Sequence, residues 1–190
     1  HEHNTPTTPG HGTQGEIVTD GRTWPELTKE QHQAAIDKLH KETQAALKKA
    51  GLELDHTETK YFILYTNLKR REAHKWLGLL DKMYDKLCEV FNIPKGTNIW
   101  RGKALVVIVR EPEEYSRYNT AAFGKPVTGS AGVCFSFPNG EVRISFYRQN
   151  NEGMFAHILV HESVHGFLHR YIGPGHVPSW ANEGLAEYIS

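Results

Sequence analysis

The chain has 190 residues, which is room for one ordinary domain with a tail and not for two large ones. Its 22 Lys+Arg are matched by 22 Asp+Glu, a balance that excludes the basic excess of a nucleic-acid binder and the polybasic face of a membrane-surface protein. Its wholly apolar runs, such as Ala104 to Val109, fall far short of the roughly 20 residues of a transmembrane segment.

Residues 1–22 are rich in Pro, Thr, Gly and His and nearly free of apolar side chains. Such a stretch cannot bury enough surface to offset its ordering entropy, so a disordered linker or tail is expected. His1, His3 and His11 are read as linker composition. The chain opens on histidine, as a processed or trimmed product does, and a secreted, periplasmic or cell-surface location is the expectation.

Residues 23–55 are expected to hold an N-terminal amphipathic helix. Thr28 and Gln31 have capping-box spacing, and the helix predicted from 28 to 50 carries Ile36, Leu39, Thr43, Leu47 and Ala50 on one narrow face. Residues 56–190 are expected to form the main domain. Tyr61 to Tyr65 reads as a buried strand, with Thr66 and Asn67 as candidate caps for a long helix over 69–92. In that helix Ala73, Trp76, Leu77, Leu80, Met83, Tyr84, Leu87, Cys88 and Phe91 keep the three-four spacing of a packed face. Ala104 to Val109 is a second buried strand. Strand, long helix, strand predicts a crossover with the two strands parallel. A short helix over 111–118 follows. Val133, Phe135 and Phe137, then Val142, Ile144 and Phe146, alternate on either side of Asn139-Gly140, which predicts a hairpin. Cys88 and Cys134, the only cysteines, are read as free thiols rather than a bridge.

A helix over 153–170 carries the chemistry. His157, His161, His165 and His169 recur every fourth residue beside its apolar face, and His161-Glu162-Ser163-Val164-His165 is an HExxH match. Four residues is just over one turn, so His161 and His165 project side by side and can share a zinc ion. Glu162, rotated about 100° from His161, is poorly placed as a ligand and suited to take a proton from a bound water. Chance alone yields such a match in roughly one chain in fifteen of this composition, so the motif does not decide the matter by itself.

The next segment does. Gly173 to Pro178 breaks the helix, and Ser179 is a good N-cap for a last one containing Asn182-Glu183-Gly184-Leu185-Ala186-Glu187-Tyr188. A loop and a helical turn can fold Glu183 back over the histidine pair. The set is then two histidines and a glutamate with a fourth position open, a ligand set of catalytic zinc. Glu187, one turn on, is placed to accept the second ring N–H of a ligand histidine.

At these residues the chain resembles the gluzincin metallopeptidases, and most of all their small peptidase-MA-like branches. The shared pattern is HExxH, a loop, then an Asn-Glu-Gly-x-Ala-Glu-Tyr helix, here with His165 and Glu183 bounding a 17-residue gap. The resemblance is specific over 157–190, only architectural over 60–147, and does not reach residues 1–55. It implies an α+β, zincin-like catalytic lobe: a twisted mixed sheet, a long packing helix, the HExxH helix and a short glutamate-bearing helix. It further implies His161, His165 and Glu183 as Zn2+ ligands, Glu162 as general base, a peptide or protein substrate, and substrate binding along an edge strand, for which residues 131–137 are the candidate. No Gly-x-Met-Glu-Asn segment precedes the helix, so endopeptidase rather than aminopeptidase action is expected. Relatives generally continue into a helical lobe past the glutamate helix, whereas the chain stops two residues after Tyr188, so a fragment or a minimal zincin lobe, slow by itself, is expected. Tyr171, His176 or a residue beyond Ser190 would then supply the oxyanion donor. The alternative reading is a zinc-binding domain that holds peptides or proteins without cleaving them.

Overall fold

The computed structural model describes residues 24–173 and 178–190. The expectations for residues 1–22 and for His176 fall outside them. The fold is α+β, with five helices and one mixed five-stranded sheet among the described residues. In chain order the elements are α1 (Lys29–Ala50), β1 (Asp55–Glu58), β2 (Phe62–Thr66), α2 (Arg70–Val90), β3 (Ala104–Val109), α3 (Pro112–Phe123), β4 (Gly132–Ser136), β5 (Val142–Tyr147), α4 (Glu152–Ile172) and α5 (Ser179–Ile189). The sheet runs β1-β2-β3-β5-β4, with β2, β3 and β5 parallel and the two outer strands antiparallel to their neighbours. The predicted parallel crossover through α2 is the β2–β3 pairing.

Why β2 and β3 are unbroken apolar runs is visible in the layers. A strand covered on both faces has no polar side to alternate with. Phe62 and Leu64 of β2 and Ala104, Val106 and Ile108 of β3 face α2 and α4, in a core with Trp76, Leu80, Phe155, Leu159 and Phe167. Ile63, Tyr65, Leu105, Val107 and Val109 point the other way, against Leu39 and Leu47 of α1 and Tyr115 and Tyr118 of α3. Strand β5 does alternate, because its second face is polar and buried: Ser145 Oγ donates to Asn119 Oδ1 at 2.9 Å, and Arg143 is paired with Glu141 and Glu42.

Several boundaries differ from the sequence reading. Strand β2 starts one residue late and ends on Thr66, and α2 is shorter at both ends than 69–92. Thr66 and Asn67 do not cap α2, whose N-cap is Lys69 without a side-chain bond. Thr66 Oγ1 accepts from the Leu68 amide instead, and Asn67 Nδ2 donates to Glu114. Helix α3 runs on to Phe123, and Gly124, at φ 78°, closes it. Thr28 caps α1 with the full capping box, both reciprocal bonds to Gln31 being present. Pro178 rather than Ser179 occupies the N-cap of α5. Strand β1 was not foreseen at all. Cys88 and Cys134 are both free.

Candidate metal centre

Helix α4 carries the pattern because its two faces have different partners. Asn151 caps it, its side chain accepting from the Met154 amide at 3.0 Å. Phe155, Leu159, Val164, Phe167 and Leu168 are buried against the sheet and α2. Gly166 lets the helix lie close on the strands: a Cβ there would stand 2.6 Å from Val142 Cγ1 and 3.3 Å from Cys134 Sγ. His161 and His165 lie at the edge of this buried stripe and are half-buried. Helix α5 packs on α4 through Leu185, Ala186 and Ile189, which sets Glu183 and Glu187, on the flank beside Ala186, over the histidines of α4.

The outcome is a tight cluster. His161 Nε2 and His165 Nε2 are 3.1 Å apart. Glu183 Oε2 lies 3.5 Å from the first and Glu183 Oε1 3.7 Å from the second. Ligand atoms held tetrahedrally at about 2.0–2.1 Å from a zinc ion are roughly 3.3 Å from one another, so the three residues have the spacing of that donor set.

The ring orientation of His165 is defined. Its Nδ1–H donates to Asn182 Oδ1 at 2.9 Å, and an amide oxygen can only accept. The lone pair of His165 is therefore on Nε2, directed at His161 and Glu183. Sequence reasoning missed Asn182, although it sits beside Glu183 in the Asn-Glu-Gly run. Glu187 Oε1 lies 3.5 Å from His161 Nδ1, beyond hydrogen-bond length, and that nitrogen is buried without a partner among the described residues. The structure thus brings Glu187 to the predicted ring atom but not into a bond with it.

Glu162 is outside this donor cluster. It is half-buried, and its neighbours show where it points. Burial first, and then the Glu162 charge, push the Cys134 thiol up to about 12. The same two causes, in the same order, lead among those raising the Tyr115 hydroxyl well above its usual range. Glu162 therefore lies on the side of α4 that faces β4 and α3.

The remaining histidines of the series separate. His157 comes within ligand range of His161 and Glu187 but not of Glu183. His169 is taken up structurally: its Nε2–H donates to the Phe137 carbonyl at 3.1 Å, its ring lies against Trp24, and burial lowers its pKa. Tyr171 packs on Phe91 and Phe167, toward α2, and faces away from the cluster. A scan against protein-family models and a search of curated proteins each return no match.

Proposed function

We propose that the chain is a zinc-dependent hydrolase of peptide bonds with the architecture of a zincin lobe, its ion held by His161, His165 and Glu183. The observation that carries this reading is the convergence of two imidazole Nε2 atoms and one carboxylate from two successive helices, with distances of 3.1, 3.5 and 3.7 Å. The donors suit the ion, because two imidazoles and a carboxylate favour zinc over magnesium or calcium. When bound, zinc supplies a Lewis acid and brings the pKa of a coordinated water down to about 7.

The chain's own residues account for the rest. Asn182 holds the His165 ring so that Nε2 faces inward, and Glu187 stands where a small rotamer change would serve the orphaned His161 Nδ1 in the same way. Glu162 takes the proton of the attacking water and returns it to the leaving amine. Among the described residues, strand β4 is the outermost strand beside α4 and pairs only with β5. An extended peptide adding to its free edge would run past Glu162, bound by backbone groups and with little sequence preference. If so, a structure with a bound non-hydrolysable peptide places it along Gly132–Ser136, and a ligand seated elsewhere removes this part of the reading.

Metal analysis tests the core of it. The dialysed chain should retain zinc, and His161→Ala and His165→Ala should each remove the equivalent held at this cluster. Asn182→Ala should weaken that equivalent by about 10–100-fold, the usual effect of losing the partner of a ligand histidine. A zinc isotherm identical in parent, His161→Ala and His165→Ala would dispose of the assignment.

A further inference from the structure

On the far side of the sheet from α4, where α1 crosses β1 and β2, a second group of metal-ligating side chains converges. His40 comes from α1, and His56 and Glu58 come from β1. One ligand atom from each lies within 4.8 Å of the others. His56 and Glu58 are two residues apart on a strand, so their side chains leave the same face. That face looks toward His40.

From this geometry we infer a second divalent-metal site, of the zinc class, with His40, His56 and Glu58 as its protein ligands. Two of the three ligands are held at an atom the metal does not need, His40 through Nδ1 and Glu58 through Oε2, and the third, His56, is held by ring stacking. His40 Nδ1 lies 2.6 Å from Tyr65 Oη, and His40 Nε2 lies 2.9 Å from Glu58 Oε1. Without an ion, the His40 Nε2–H donates to the Glu58 carboxylate and Nδ1 accepts from the Tyr65 hydroxyl; a bound ion takes the other tautomer, whose Nδ1–H donates to the Tyr65 hydroxyl and whose Nε2 lone pair faces the metal. Ligand histidines are habitually oriented through the second ring nitrogen in this way. Glu58 Oε2 accepts from Lys103 Nζ at 2.6 Å, which leaves Oε1 as the free donor. The His56 ring stacks on Tyr65, with centroids 5.3 Å apart and planes 25° from parallel, and its centroid is 5.1 Å from that of His40.

The 2.9 Å between Nε2 and Oε1 is a hydrogen-bond distance. A widening of a few tenths of an ångström reaches the roughly 3.3 Å of two tetrahedral zinc ligands. The Glu58 side chain is 30% exposed and has the freedom to move that far. Two imidazoles with one carboxylate select zinc-like transition ions over calcium or magnesium. His56 is exposed and, with Tyr65 but not His40 or Glu58, lines a cleft of about 1080 Å³ bounded by Gln44, Leu52 and Arg117, so solvent reaches the cluster from the His56 side. None of the His161 cluster lines this cleft, and the site neither uses nor requires the chemistry proposed there. An ion at this corner would tie α1 to the outer strand β1, replacing one hydrogen bond with a three-point link.

Zinc titration of the metal-free chain by calorimetry, in the parent and its variants, tests the inference. The double variant His161→Ala with His165→Ala should keep one saturable equivalent, and adding His56→Ala to it should remove that equivalent. Tyr65→Phe in the same background should keep the stoichiometry and weaken binding about 10–100-fold. Thermal unfolding gives a second readout. In the double variant, zinc at a hundredfold excess over Kd should raise the melting temperature by about 5–10 °C, and the rise should vanish with His56→Ala. His56 is exposed on an outer strand, so its loss leaves the fold in place. A double variant that takes up no zinc overturns this inference and leaves the proposed function standing. An equivalent in the double variant that survives His56→Ala also overturns it, because that zinc sits on histidines outside the cluster. A parent whose zinc is lost to His56→Ala and not to His161→Ala has the opposite meaning: this site stands and the proposed function fails.

Discussion

Glu162→Gln should leave zinc content and fold as they are and lower peptide hydrolysis by about 10²–10⁴-fold, the usual range for loss of a positioned general base. The substitution keeps the size and shape of the side chain. An amide oxygen can still accept a hydrogen bond from water, but it has no useful affinity for the proton. Metal binding should not change, because Glu162 is absent from the cluster of His161, His165 and Glu183. Stability should change little, because the residue is only half-buried. The measurement is a rate on an unfolded protein substrate, with zinc per chain determined on the same sample. A variant as fast as its parent would end the general-base role. A parent with full zinc and no hydrolysis would instead select the reading in which the domain holds peptides without cleaving them.

How far the candidate centre could be read from the sequence depended on whether a feature was local. The spacing of His161 and His165 is a property of one helix, and the position of Glu183 follows once a loop returns the next helix over the first. Asn182 was not legible, because its role exists only after α5 has docked on α4 and brought the amide to His165 Nδ1. Tyr171 shows the same limit from the other side. As a polar aromatic next to the motif it was a candidate donor, but its ring belongs to the Phe91 and Phe167 stack. Strand β1 illustrates non-local structure in its simplest form. Asp55-His56-Thr57-Glu58 is polar throughout and has no apolar alternation, and its strand state comes from pairing with β2. The caps divide in a similar way. The Thr28–Gln31 box is formed within one turn of α1, whereas Asn67, also a plausible cap by type, is drawn off by Glu114 across 47 residues of chain. Strands β2 and β3 were placed almost to the residue, because burial on both faces makes a continuous apolar run that few other structures would tolerate.

The positions of His161 and His165 depend on how closely α4 can approach the sheet, and Gly166 sets that distance. The residue after His165 has its Cα over Val142 of β5 and Cys134 of β4, where a Cβ would meet Val142 Cγ1 at 2.6 Å. Val142 is buried in the first core and is a strand residue, so it cannot swing aside as the end of a long side chain could. Gly166→Val should therefore force α4 outward or strain β5. Overpacking of this kind costs about 1–3 kcal/mol. The gain in helix propensity from replacing Gly by a β-branched residue is only a few tenths of that scale, so the steric term wins. At about 2–4 °C per kcal/mol for a chain of this size, the melting temperature should fall by several degrees. Because α4 carries both histidines while Glu183 rides on α5, the shift should instead disturb the 3.5 and 3.7 Å approach of Glu183 to the pair and weaken zinc retention. Gly78→Ala on α2 is the control. A Cβ there meets nothing within 4 Å, so replacing a mid-helix glycine should stabilise the chain by about 1 kcal/mol and leave zinc unaffected. If Gly166→Val melts with the parent and keeps its zinc, α4 has room above Val142 after all, and the closeness of helix and sheet is not what holds the histidine pair in place.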